Sequence, residues 1–173
     1  AASDVYKRQL IALVRDNVPV LGVIYAPESD LLYWAVRGHG AFKEANGESR
    51  PISAIHHEHD QPDSLVVAIS RRQKLENLTR RLNPAIHYEL IPLGSSSLKS
   101  CLVAEGVADC YVRLGPTGEW DTAAAQCIVE AAGGRILSLA LQPLSYNETE
   151  SLENPDFIVM GDPDLAWGRI LAH

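Results

Sequence analysis

The segment GEWDTAAAQCIVEAAGG, Gly118 to Gly134, sets one carboxylate at the mouth of a run of small residues. Its spacing predicts a helix with Asp121 or Thr122 as N-cap and a glycine stop at Gly133 and Gly134. Ala123, Ala124, Cys127, Ile128 and Ala131 would form one narrow apolar face, small enough to lie close to a sheet. A carboxylate beside unpaired helix amides is placed to hold a metal ion while the amides face a phosphate. An ordinary capped core helix has the same pattern, so Asp121 alone does not decide between the two.

Two other places carry matching chemistry. LGSSSLK, Leu93 to Lys99, reads as a strand-to-helix corner with serine hydroxyls, free amides and Lys99 in the first turn. A cation there opposes the helix dipole, at a cost of roughly a few tenths of a kcal/mol unless an anion compensates. That marks Lys99 as a phosphate contact, against the plainer reading of a solvated lysine beside a serine cap. Arg113 ends a strand eight positions before Asp121. A guanidinium fork takes a phosphate through two bonds and keeps its charge; an exposed strand-end arginine is the competing reading.

The elements that must position these groups fall into two parts. From Leu10 to Ile52, LIALV, PVLGVIYA, LLYWAV and AFKE alternate with turns at Arg15 to Asn17, Pro27 to Asp30 and Asn46-Gly47. They predict an antiparallel meander, with Gly38 and Gly40 breaking the third strand. HHEHD, His56 to Asp60, lies between Pro51 and Pro62 and has no metal-ligand spacing, so residues 56–63 read as a solvated linker. From Ser64 the pattern is α/β. SLVVAIS, HYELIPLG and DCYVRL are strands, with helices over Gln73–Leu82, the SSSLKSCLVAEG run and the Asp121 segment; GRILSL, DFIVMG and a terminal turn at 165–172 follow. Such alternation predicts a sheet covered by helices, with ligands at the strand ends.

Composition bounds the function. The chain has 173 residues, 46% hydrophobic and 21% charged, enough for a buried core. A formal charge of −7 argues against non-specific nucleic-acid binding, though a local cationic cluster still accepts a small anion. No apolar run approaches membrane-span length. Cys101, Cys110 and Cys127 lack CxxC spacing and read as reduced, buried thiols of a cytosolic protein, with no catalytic role.

Together, GEWDTAAAQCIVEAAGG, LGSSSLKSCLVAEGVADCYVRLGPTGEWD and VPVLGVIYAPESDLLYWAVRGHGAFKE resemble the inositol monophosphatase superfamily of metal-dependent phosphatases, in the family's order from about Leu10 to Phe157. Within it they resemble the bisphosphate nucleotidases. The resemblance implies a layered α/β fold, here its C-terminal half: remnant strands of the first sheet at 10–55, the linker at 56–63, and an α/β domain at 64–173. It implies Mg2+ as cofactor, with Asp121 as a metal ligand that also faces the substrate. It further implies substrate contacts at Ser97, Lys99 and Arg113. Arg113 stands where inositol phosphatases have a glutamate, and so favours a nucleotide bisphosphate. VVAISRRQ is similar to the family's VVISRSH: Arg71 keeps its arginine, while Arg72 and Gln73 replace Ser and His. These three are substrate-site candidates as well. Glu119 could support Asp121 or belong to a surface loop.

The family's N-terminal glutamate pair and DPLDGT-type metal loop do not occur in these residues. The opening AASDVYKRQ, residues 1–9, matches a translated transposon sequencing adapter and is expected to be a scar, excluded from fold reasoning. The expectation is therefore an N-terminally truncated fragment of a cytoplasmic, or peripherally membrane-associated, phosphatase of sulfur assimilation. Its reaction would be hydrolysis of adenosine 3',5'-bisphosphate to AMP and phosphate, the fragment itself being inactive. The first sheet, stripped of helical cover, should leave an apolar patch and an open edge over residues 10–36. An inositol or fructose-bisphosphate phosphatase and a non-catalytic phosphate-binding module remain as alternatives.

Overall fold

The computed structural model describes residues 8–71 and 75–171. The predicted meander is present as five strands: β1 (Gln9–Arg15), β2 (Val18–Ala26), β3 (Leu31–Val36), β4 (Ala41–Ala45) and β5 (Glu48–Ile52). Each pairs antiparallel with the next. β5 extends the predicted set, and its Pro51 is tolerated because β5 is an edge strand.

The second sheet comprises β6 (Ser64–Ser70), β7 (His87–Leu93), β8 (Cys110–Arg113), β10 (Arg135–Ser138) and β12 (Phe157–Met160). Its strand order is β10-β12-β8-β6-β7. β7, β6 and β8 are parallel; β12 and β10 are antiparallel to their neighbours. A two-residue ribbon joins β9 (Thr117–Gly118) to β11 (Glu153–Asn154). The helices are α1 (Leu75–Thr79), α2 (Ser96–Ala104), α3 (Ala123–Ala131) and α4 (Trp167–Ile170).

Strand alternation sorts the second sheet into two cores. Ala68, Tyr111, Phe157 and Val159 face α2, α3 and the first sheet. Leu65, Val67, Ile69, Cys110, Val112, Ile158 and Met160 face the side of Leu78, Leu165, Trp167 and Ile170. The order of layers is therefore sheet, α2 with α3, sheet, then α1 with α4.

This layering corrects one expectation. α3 has no single narrow apolar face: Ala123 to Val129 are all buried, because sheets press on it from both sides. On the first sheet, Ile24, Tyr33 and Ala35 line the inner face and pack in the same core as α3. Its outer face is the open one, and with the β1 edge it carries the expected apolar patch. Register lines up Ile11, Val23, Trp34, Phe42 and Pro51 across all five strands. Trp34 stacks on Phe42 at 4.3 Å, while Ile11 is 62% and Leu13 57% exposed.

Glu105 clasps the first sheet to α2. Its carboxylate accepts from Tyr33 Oη at 2.9 Å and pairs with Lys43 Nζ at 2.6 Å. The expected solvated linker is exposed at His56, Glu58, His59 and Asp60, but not at His57. His57 Nε2 lies 2.8 Å from buried Asp109 Oδ1, and its amide donates to Asp162 Oδ2 at 2.7 Å.

Candidate active site at the strand ends

Because β6, β7 and β8 run parallel, their C-terminal ends share one edge of the sheet. Arg71 follows β6, the Leu93 to Ser95 corner follows β7, and Arg113 closes β8. Ligands of open α/β sheets bind at this edge. Arg71, Leu93, Gly94, Ser95 and Leu98, with Arg8 and the Ala26 to Ser29 turn, line a cleft of about 250 Å³. Arg72 and Gln73 lie outside the described residues.

The corner is built by its serines. Ser95 is the N-cap of α2, its Oγ accepting from Leu98 N at 3.1 Å. Ser97 is buried, its Oγ 3.1 Å from Ser95 Oγ; Ser96 Oγ instead meets Tyr111 Oη at 3.0 Å. The structure thus turns Gly94 and Ser95 to the cleft and Ser97 inward.

Lys99 is no solvated lysine. It is 1% exposed, and its Nζ donates to Ser95 O at 2.7 Å and Leu93 O at 3.2 Å. It also stands 4.7 Å from the centre of the Tyr111 ring. Burial, then the nearby charges of Arg113 and Arg8, lower its ammonium to about 8.

Arg113 sends one guanidinium nitrogen to Pro116 O at 3.2 Å, while its buried Nε has no hydrogen-bond partner among the described residues. The guanidinium also faces the Tyr111 hydroxyl, on which it acts by charge and by hydrogen bonding, and Arg113 stands at the same sheet edge as the cleft without lining it.

Asp121 does not cap α3. It ends a 3-10 turn, Glu119–Asp121, and its Oδ2 accepts from Gly118 N at 3.2 Å. Thr122 precedes α3 without a side-chain cap bond; its hydroxyl donates to Glu119 O at 3.2 Å. Two buried residues lock this turn. Asn154 Nδ2 donates to Gly118 O at 2.8 Å and Thr122 Oγ1 at 3.1 Å, and Tyr146 Oη donates to Gln126 Oε1 at 2.7 Å. Glu119 holds the neighbouring loop, accepting from Asn147 N at 2.9 Å. Trp120 is 66% exposed, and its indole covers Gly118 so closely that a Cβ there would collide with it.

Tyr111 links the parts. It is fully buried, with Ser96 at its hydroxyl, Lys99 over its face and Phe157 edge-on at 6.1 Å. Burial raises its phenol above the ordinary value, against the bond with Ser96 and the charge and hydrogen bond of Arg113; Asp121 adds a smaller push upward. Sequence reasoning passed over Tyr111, Tyr146 and Asn154. Only Tyr111 left a signal, standing two residues before Arg113 and so on the same face of β8.

As to a metal, Asp121 offers one carboxylate. Among the described residues no group of three His, Cys, Asp or Glu is arranged to hold an ion. The described residues do not make a divalent-cation site by themselves. The three thiols are buried and free, and burial raises each above its ordinary value, consistent with packing roles.

The two sheets with helices between and outside them define a layered α/β architecture with a cleft at the strand ends. The chain belongs to the inositol monophosphatase family, whose profile matches residues 10–162. It is 43% identical over 161 residues to the 3'(2'),5'-bisphosphate nucleotidase CysQ of Aggregatibacter actinomycetemcomitans, covering 93% of this chain and 59% of that one. CysQ of Haemophilus influenzae is 41% identical, with the same coverage. The crystal structure of CysQ from Bacteroides thetaiotaomicron superposes with a TM-score of 0.73 at 37% identity, covering 88% of this chain and 61% of that one. The chain thus spans about three fifths of the length of the curated relatives it matches. No helix among the described residues is long and apolar enough to cross a membrane.

Proposed function

We propose that this chain serves hydrolysis of the 3'-phosphate of adenosine 3',5'-bisphosphate, giving AMP and phosphate, in the cytoplasm and as part of sulfur assimilation. The observation that carries this reading is Arg113, half-anchored at the end of β8, with a buried Nε that has no hydrogen-bond partner among the described residues. Arg113 takes the phosphate that stays on the nucleotide, since a guanidinium fork suits a dianion. Arg71 and the Gly94–Ser95 corner line the cleft at the same edge of the sheet, which Arg113 closes at the end of β8 without lining the cleft itself. Ser97, buried behind Ser95, supports that corner. Asp121 is the carboxylate this chain offers to Mg2+, which prefers oxygen donors. With one carboxylate in place, the chain alone is expected to bind substrate without turning it over.

Calorimetry on the purified chain tests the reading. Adenosine 3',5'-bisphosphate should bind about tenfold or more tighter than AMP or inositol 1-phosphate, the worth of one charge-assisted contact. Equal affinity for all three would remove the case for a bisphosphate nucleotidase. Magnesium-dependent phosphate release above a no-protein control would show that the chain needs no further metal ligands.

A further inference from the structure

We infer that the crevice at the C-terminal end of α3, where Arg37 of the first sheet and Arg135 of the second line one cavity with Glu130, binds a small tetrahedral oxyanion, at a place separate from the strand-end cleft. The cavity has a volume of about 350 Å³, enough for a small ligand. Arg37 follows β3, Glu130 lies in the last turn of α3, and Arg135 opens β10. The two sheets and the helix between them thus contribute one charged group each. The nine residues of α3 put about 13 Å of helix between this crevice and the Asp121 turn.

The balance of charge favours an anion. Neither guanidinium makes a side-chain hydrogen bond or an ion pair among the described residues, although both act by charge on the Glu130 carboxylate. Both arginines are exposed, so a ligand reaches them from solvent. Glu130 has a partner of its own, since Gln126 Nε2 donates to its Oε1 at 3.0 Å. Desolvation raises its carboxyl above the ordinary value, against that bond and the charges of Arg135 and Arg37. One carboxylate and the C-terminal partial charge of α3, roughly half a unit, leave two guanidiniums in excess. Arginines near a helix end often bond its last carbonyls. Here they do not, and Glu130 O and Val129 O accept instead from Gly133 N and Gly134 N. Those two glycines, with Gly38, put backbone bare of side chains on the crevice wall, so an oxyanion approaches closely.

NMR on the 173-residue chain tests this, with inorganic phosphate as the probe and sodium chloride at matched ionic strength as the control. The amides of Gly38, Gly133 and Gly134 report the crevice, and those of Gly94 and Ser95 report the strand-end cleft. Phosphate should move the crevice amides along a saturating curve with a Kd of about 1 mM, the affinity that two charge-assisted contacts support. Acetate, too small to span both guanidiniums, should bind about tenfold more weakly. Arg37→Gln and Arg135→Gln should each weaken phosphate at the crevice about tenfold and leave the cleft amides on their wild-type curve. Crevice amides that stay still, or that move equally in chloride, would overturn the inference. So would acetate binding as tightly as phosphate, or unchanged crevice curves in both variants. If a variant fails to fold, the wild-type curves with phosphate, acetate and chloride still decide. A silent cleft beside a responding crevice would count against the phosphate-site reading of the strand ends and support this one.

Discussion

Gly22 of β2 lies against the carbonyl of Ala124 in α3, so closely that a Cβ at position 22 would overlap the oxygen. Strand backbone and helix backbone meet here with no side chain between them, which is what the small residues of α3 make possible. The contact sets how the first sheet sits on the helix that follows Asp121.

Gly22→Ala should therefore destabilise the chain by about 1–3 kcal/mol, the usual cost of an overpacked core. Urea unfolding followed by circular dichroism would measure it. An unchanged midpoint would mean that β2 and α3 move apart freely, and that the close approach is not what orients them.

Arg113 and Asp121 should separate by phenotype. Arg113→Ala should weaken adenosine 3',5'-bisphosphate binding by roughly ten- to hundredfold, the ~1.5–3 kcal/mol of a hydrogen bond to a charged group. Its preference over AMP should shrink in step. Asp121→Asn should leave metal-free nucleotide binding nearly unchanged and raise the Mg2+ concentration needed for any metal-linked gain in affinity. Calorimetry with and without Mg2+ reads both. Equal losses for mono- and bisphosphate in Arg113→Ala would make Arg113 structural.

Acid stability should depend on Asp162. Burial alone would raise its carboxyl, but the amides of His57 and Asp164, with the imidazoles of His56 and His57, hold it below the ordinary value. A carboxyl whose folded value lies below its unfolded one adds stability above the unfolded value. That stability is lost as pH falls through the folded value. Asp162→Asn should accordingly lower stability near neutral pH and flatten the fall in stability below about pH 4. Parallel acid limbs for wild type and variant would exclude this linkage.

The outer face of β1 should drive self-association. β1 is an edge strand, and Ile11 and Leu13 stand exposed on it beside an apolar row that crosses the sheet. Unpaired, apolar edges template pairing with other chains. Sedimentation velocity should show concentration-dependent growth, reduced by Ile11→Lys and Leu13→Lys, since a charge on an edge opposes pairing. A monomer at all concentrations would contradict it.

Much of this was legible in the residues because it depends on local periodicity. Short apolar runs bounded by turn residues, such as LLYWAV and SLVVAIS, marked strands. The serine run before Leu98 marked the start of α2, and turn residues at Asp16-Asn17, Asp30 and Asn46-Gly47 adopt the positive φ that such residues tolerate. The placing of Arg71, Arg113 and the Gly94–Ser95 corner on one edge follows from a strand-helix-strand order that makes the strands parallel.

Other features depend on what lies across the chain. Nothing within LGSSSLK distinguishes a lysine that reaches solvent from one that turns back, because the same stem serves both. Tyr111 and the Leu93 carbonyl, distant in sequence, decide that Lys99 turns inward. Likewise the Asp121 segment has the composition of a capped helix, yet Asn154 and Tyr146 from a later loop bind Gly118, Thr122 and Gln126. Their bonds hold Asp121 in a 3-10 turn ahead of α3. Short-range propensity thus determined which residues form strands and helices and which edge carries the candidate site. Long-range hydrogen bonds and burial, whose free energy exists only once the layers are assembled, decided which polar groups face the cleft and which support it from behind.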